Sequence, residues 1–146
     1  MHSRFVDLNN LTAAVTRREL YAAGYTSNDL QRAERARIIC RLAPGIFAPP
    51  TMRDAPPEIR HRARAVATAR ERVGALSFVS AAAVHGLPVW GIPLSRVHLS
   101  KAKSSAGSLS TGIVMTHCDR RPPAVTEIDG TEVVTVARTV VDLART

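Results

Sequence analysis

The stretch from Thr16 to Gly45 constrains the fold of this chain more than any other. Thr16 precedes Arg17-Arg18-Glu19. A threonine hydroxyl placed there accepts the backbone N–H three residues on, and a glutamate at that position returns a bond to the threonine's own N–H. A helix therefore starts at Thr16, with Val15 and Leu20 as its apolar side. Gly24 stops it after about two turns, because glycine accepts the left-handed conformation of a helix stop. Tyr25 and Thr26 form the connector. Thr26 or Ser27 then caps a second helix over residues 27–37, in which Leu30, Ala33 and the stem of Arg37 share one face. Two short helices joined by a glycine-containing turn outline a helix-turn-helix.

The next residues separate a plain helical pair from a winged one. Ile38-Ile39-Cys40-Arg41-Leu42 reads as a strand, Ala43-Pro44-Gly45 as a tight turn, and Ile46-Phe47-Ala48 as the returning strand, which together make a wing. Residues 8–14 are expected to add a short helix in front. Pro49, Pro50, Pro56 and Pro57 mark a linker, so a first domain over residues 1–55 and a second over 56–146 are expected.

In the second domain, residues 58–73 have helical composition, with Ile59, Ala63, Val66, Ala67, Ala69 and Val73 near a 3.6-residue period and five Arg interleaved. The ordinary reading of those Arg is a solvated helix face; a second phosphate-contacting surface is the alternative. Gly74 is expected to stop this helix. A short helix over residues 80–85 closes at Gly86. Strands are expected over 97–100, 112–117, 125–128 and 132–135, the last two forming a hairpin about Asp129-Gly130. Residues 136–144 turn helical again, and a chain ending in that apolar segment reads as part of a longer domain. The fold class expected is α+β: an N-terminal winged helix-turn-helix followed by a small α/β domain.

Charge adds a direction. The chain has 146 residues, 20 of them Lys or Arg against 12 Asp or Glu, a formal net charge of +8. Such an excess suits a polyanionic partner. Residues 1–73 hold 13 Arg against seven acids, so the first half carries most of the field. Cys40 and Cys118 are too few for a disulfide framework and stand in no zinc-finger spacing, which fits a cytoplasmic protein. The start at Met1-His2-Ser3-Arg4 has no signal-peptide core, and no run of about 20 apolar residues follows, so no membrane partner is expected.

Five landmarks in this order resemble a known family. They are Thr16-Arg17-Arg18-Glu19-Leu20 with Ala22-Ala23-Gly24; the helix beginning at Ser27; Arg41-Leu42-Ala43-Pro44-Gly45-Ile46-Phe47; Ser80-Ala81-Ala82-Ala83-Val84-His85-Gly86-Leu87-Pro88; and Ala137-Arg138-Thr139-Val140-Val141-Asp142-Leu143-Ala144. The chain resembles the AbiEi-type antitoxins of type IV toxin-antitoxin systems, especially the actinobacterial AbiEi-family transcriptional regulators. The resemblance implies an N-terminal winged helix-turn-helix and an α/β antitoxin-like domain. It also implies a DNA-binding repressor of its own operon that neutralises a nucleotidyltransferase-like toxin. Two departures stand out. Ala43-Pro44 occupies the wing tip where basic residues are often found, and the restriction-nuclease-like domain of many relatives is not in this chain.

The candidate residues follow from the helix-turn-helix outline. Ser27, Asn28, Gln31 and Arg32 on the second helix would face base edges, since Asn and Gln pair with adenine and Arg with guanine in the major groove. Arg17, Arg18, Arg35 and Arg41 would hold phosphates of double-stranded DNA, the protein's own operator. Asp29 and Glu34 oppose phosphate binding. Asp29 favours the positive end of the helix dipole, and Glu34 is expected to pair with Arg37. Trp90, within Leu87-Pro88-Val89-Trp90-Gly91-Ile92-Pro93, is the anchor expected for a protein partner, although that stretch also reads as loop packing. His85, His98, His117 and Cys118 match no metal spacing, and Ser80 and His85 lack a carboxylate to make a triad. With no phosphate loop or dinucleotide fingerprint, neither an enzyme nor a cofactor is expected. Two competing readings are the regulatory front of a longer protein with a restriction-endonuclease-like nuclease domain, and an interaction module without DNA binding.

Overall fold

Thr16 Oγ1 accepts the backbone N–H of Glu19 at 3.1 Å, and Glu19 Oε2 accepts that of Thr16 at 2.9 Å, closing the capping box at the head of α1 (Arg17–Ala22). These coordinates are a computed structural model describing residues 6–103 and 110–146; Met1-His2-Ser3-Arg4 lies outside the described residues. Thr16 also ends strand β1 (Val15–Thr16), so one residue joins sheet to helix. After Gly24, Thr26 rather than Ser27 caps α2 (Ser27–Arg35). Its hydroxyl accepts the Asp29 N–H at 3.2 Å, and the Asp29 carboxylate accepts the Thr26 N–H at 2.7 Å. Asp29 thus makes a second capping box as well as lying at the positive end of the helix. A side-chain cap of this kind stabilises a helix by about 1 kcal/mol.

The helix expected over 27–37 ends at Arg35. Arg37 adopts a left-handed backbone (φ 58°), its N–H donating to Glu34 O at 3.1 Å and that of Ile38 to Ala33 O at 2.9 Å. This hydrogen-bond pair is the usual helix stop, at a position that favours glycine. An arginine there costs on the order of 1 kcal/mol. Its side chain is exposed and does not share the face of Leu30 and Ala33.

The chain then forms β2 (Cys40–Ala43) and β3 (Ile46–Ala48), an antiparallel hairpin, and β1 pairs with the other edge of β3 to give the order β1-β3-β2. Leu8, Leu20, Leu30, Ala33, Ile39 and Phe47 fill the core between helices and sheet. The short helix expected over 8–14 reduces to a 3-10 turn at Leu8–Asn10. A second 3-10 turn occupies Pro50–Asp54. This unit spans Met1–Pro56, and a second compact unit spans Pro57–Thr146.

The second unit comprises α3 (Pro57–Ala69), β4 (Ala75–Leu76), α4 (Phe78–His85), β5 (Val97–Ala102), β6 (Val114–Asp119), β7 (Val125–Ile128), β8 (Thr131–Val134) and α5 (Val136–Ala144). Its five-stranded mixed sheet runs β6-β5-β4-β8-β7, with β5 parallel to β6, β4 parallel to β8, and the other two pairs antiparallel. The hairpin expected at Asp129-Gly130 is present, both residues having positive φ. Leu76, Val97, Leu99, Val114, Val133 and Val134 of the sheet pack with Ala65 of α3 and Ala81 and Val84 of α4.

Two expectations are corrected here. Gly74 does not stop α3, which ends at Ala69; with φ 126° it lets β4 approach β5, since a Cβ there would lie 3.1 Å from Ser100 O. Ile59 and Val73, expected on the apolar face, are exposed; of the expected residues Ala67 is buried and Val66 and Ala69 pack against the core, joined by the buried His61, Ala65 and Thr68.

α5 has the range expected from the sequence, but its buried residues are Thr139 and Asp142, while Val136, Val140 and Val141 are exposed. Arg138 explains the inversion. Its Nε donates to Asp142 of the same helix at 2.8 Å and its Nη2 to Asp119 of β6 at 3.0 Å, which ties the helix to the sheet, while Leu143 packs against Val79, Ala82 and Val89. No helix among the described residues is long and apolar enough to cross a membrane.

His61 lies at the centre of α3's buried face. Its Nδ1 lies 3.1 Å from Leu94 O and 3.0 Å from Arg64 Nη2, and its Nε2 lies 2.9 Å from the Ser80 hydroxyl. Arg64 donates to the same carbonyl. Burial first, and the Arg64 guanidinium second, push His61 down from 6.5 to about 4. The unfolded chain takes up a proton near pH 6.5 and the folded chain only near pH 4. The stabilisation is therefore complete above 6.5 and is lost progressively as pH falls through that window, by up to about 3 kcal/mol for this residue. Urea unfolding should show a lower free energy at pH 5 than at pH 7.5. His61→Gln should be less stable at pH 7.5 and show a shallower slope; an unchanged slope would remove His61 as the source.

Candidate nucleic-acid interface

On a helix of about 100° per residue, Ser27, Asn28, Gln31, Arg32 and Arg35 fall within an arc of about 140°. All five are exposed, and the buried Leu30 and Ala33 lie on the opposite side. Asp29 and Glu34 flank the arc without entering it. Both acids are engaged. Asp29 is bonded to Thr26 and lies 3.6 Å from Arg32, and the Thr26 backbone N–H holds its carboxyl below the usual carboxylate range. Glu34 pairs with Arg41 at 3.1 Å rather than with Arg37, because the left-handed turn takes Arg37 out of the helical i+3 position.

Arg17, Arg18 and Arg41 are exposed as well, and two of them converge. Phe47 sits in the middle strand, paired with Val15 on one side and Arg41 on the other, and the Arg17 N–H donates to Gly45 O at 2.8 Å. The Arg17 and Arg41 guanidinium carbons lie 5.8 and 5.5 Å from the Phe47 ring centroid. The ring is only 1% exposed. A cation over an aromatic face is stabilised by about 0.5 to 2 kcal/mol, so each guanidinium has a preferred place at the surface.

A shallow concavity of about 430 Å³ adjoins this face, lined by Gln31, Glu34, Arg35, Arg37, Arg41 and Arg53. Arg37, expected only to pack with Leu30 and Ala33 and to pair with Glu34, and Arg53 were not among the expected DNA contacts. A basic residue just past a helix end is a signal for Arg37. Arg53, in a turn that reads only as proline linker, gives none.

In the other unit, Trp90 is 88% exposed while Val89 is buried with Val79 and Ala82, and Leu87, Ile92 and Leu94 pack against them. The stretch is therefore loop packing at Leu87, Val89 and Ile92, with Pro88, Trp90, Gly91 and Pro93 exposed. The histidines are structural in their bonding. His85 Nε2 bonds Val134 O at 2.8 Å, and His98 Nδ1 lies 3.0 Å from His117 Nε2, with Phe78 stacked on His117. Ser80's imidazole partner is His61, not His85. Its hydroxyl also accepts the His98 backbone N–H at 2.9 Å and is fully buried.

Comparison with known families and with curated proteins finds no match for this chain.

Phe47→Leu keeps most of the buried volume but removes the ring from beneath the two arginines. It should lower unfolding stability by about 1 kcal/mol. It should also weaken duplex DNA binding, measured by fluorescence anisotropy. Wild-type DNA affinity in a folded Phe47→Leu protein would show that the ring does not set the arginine positions.

Proposed function

We propose that the Met1–Pro56 unit is a winged helix-turn-helix that lays α2 in the major groove of duplex DNA, with the β2–β3 hairpin as wing. The protein acts as a DNA-binding antitoxin and transcriptional autorepressor of a type IV toxin-antitoxin operon, not as an enzyme. The observation that carries the DNA-binding part is the exposed face of α2. Five residues able to donate hydrogen bonds, two of them arginines, stand on one arc, and both nearby acids are held aside in capping or ion-pair bonds. Ser27, Asn28, Gln31 and Arg32 read bases; Arg17, Arg18, Arg35 and Arg41 hold phosphates and set the register. The antitoxin part rests on the five sequence landmarks shared in order with the AbiEi-type family. The α/β antitoxin-like unit supplies the contact with a nucleotidyltransferase-like toxin, and Trp90 is its anchor.

Binding to DNA from upstream of its own gene should be strongly salt-dependent, because each phosphate contact releases counterions. With four such contacts the affinity should fall about a hundredfold between roughly 50 and 200 mM salt. Arg17→Ala or Arg18→Ala should weaken all duplexes alike and reduce the salt slope by about one, whereas Gln31→Ala or Arg32→Ala should cost about 1 to 3 kcal/mol on the operator and much less on random DNA. Gel shifts measure both. Equal losses on both DNAs for all four variants would put the reading helix elsewhere, and no shift at about 50 mM salt would remove DNA binding.

Trp90→Ala separates the two activities. With an unchanged circular dichroism spectrum it should leave DNA affinity unaltered and reduce co-purification with a nucleotidyltransferase-like protein encoded beside it. Loss of DNA binding in that variant would move Trp90 to the nucleic-acid surface.

A further inference from the structure

Three separate elements point arginines into the concavity of the amino-terminal unit. Arg35 and Arg37 come from the end of α2 and its stop, Arg41 from β2, and Arg53 from the Pro50–Asp54 turn. Four guanidiniums line it against one carboxylate, that of Glu34, which is bonded to Arg41. Among the described residues, Arg35, Arg37 and Arg53 have no carboxylate partner. The carbonyls at the end of α2 would repel an anion. The attraction of the concavity is therefore owed to the arginine side chains.

Arg37 is the informative member. The helix stop it occupies is closed by backbone bonds that glycine would make equally well, and its left-handed conformation is one that glycine adopts without strain. Among the described residues, the side chain makes no bond that would offset this strain. What it contributes is a guanidinium at the rim of a pocket that already holds three others. An arginine fork matches the oxygens of a phosphate, and several forks on a concave wall can surround one.

We propose that this concavity is a phosphate-binding site, made by Arg35, Arg37, Arg41 and Arg53, that clamps one backbone phosphodiester of the bound duplex. The source of the phosphate rests on the DNA-binding reading above; the site itself does not. Arg41 reaches the phosphate by exchanging its bond to Glu34 for one to the phosphate oxygens. Arg37 and Arg53 thereby join the contacts that fix register without reading sequence.

The test uses the full chain, with Arg37→Gly and Arg53→Ala. Arg37→Gly should melt at the wild-type temperature or higher, because it removes a strained residue, yet bind any duplex about tenfold more weakly and with a reduced salt slope. Arg53→Ala should weaken binding in the same sequence-independent way without altering the melting temperature. Inorganic phosphate, compared with chloride at equal ionic strength, should raise the melting temperature of the wild type and do so less for the double variant. Wild-type DNA affinity and salt slope in both single variants would overturn the proposal, as would equal stabilisation of wild type and double variant by phosphate. Should Arg37→Gly melt lower than wild type, Arg53→Ala decides alone. If the wild type binds no duplex but loses its phosphate stabilisation in the double variant, the site stands and the DNA-binding reading falls.

Discussion

The basic face of the amino-terminal unit depends on the burial of Phe47. This ring fills the space between the two helices and the middle of a three-stranded sheet, together with Leu20, Leu30 and Ile39. Burying such a ring is worth about 2 to 3 kcal/mol. It also places the ring beneath Arg17 and Arg41, whose guanidiniums come within 6 Å of it from one helix and one strand. Long cationic side chains on a surface normally sample many rotamers. Here, attraction to the ring and the bond of Arg41 to Glu34 restrict two of them.

The same unit shows how charge can be concentrated without acids cancelling it. Asp29 is turned inward to the Thr26 amide and hydroxyl, where it stabilises the helix start, and Glu34 is turned toward the hairpin. Neither contributes a carboxylate to the outer arc of α2. The concavity beside it gathers four arginines because a helix stop, a strand and a 3-10 turn end near one another. The face therefore presents hydrogen-bond donors along its outer arc and arginines at its margin.

The second unit is built on different terms. Its apolar core is ordinary, but its polar interior is not, because His61, Ser77, Ser80, Ser100, Thr139 and Asp142 are all buried. Each buried polar group must find a partner or lose the hydration it had in the unfolded chain. Ser80 does so with His61 and the His98 amide, Ser100 with Ser77 at 2.8 Å, and Asp142 with Arg138. The Arg138-to-Leu143 segment, whose composition reads as an apolar helix, is therefore tied to β6 through Arg138 and Asp119, packs Leu143 against Val79 and Ala82 of α4, and turns valines outward.

The sequence by itself determined the elements whose causes are local. Thr16 with Glu19, the glycine after α1, Gly86 at the end of α4 and Asp129-Gly130 between two strands act over at most a few residues, and each has its expected effect in the structure. The exposure of Ser27, Asn28, Gln31, Arg32 and Arg35 was legible too, since it follows from helical period once Leu30 and Ala33 are taken as the buried pair. Tertiary structure alone decided which distant residues meet. Strand β4 is two residues long and has no pattern, yet lies at the centre of its sheet because both neighbours pair with it. Ser80 bonds His61, 19 residues away, and not His85 on its own helix. Arg53 joins Arg35, Arg37 and Arg41 only because the chain returns past α2 after the hairpin. Caps and turns are settled by bonds within one or two turns of backbone, whereas these meetings depend on how whole elements pack, and no periodicity in the sequence encodes that.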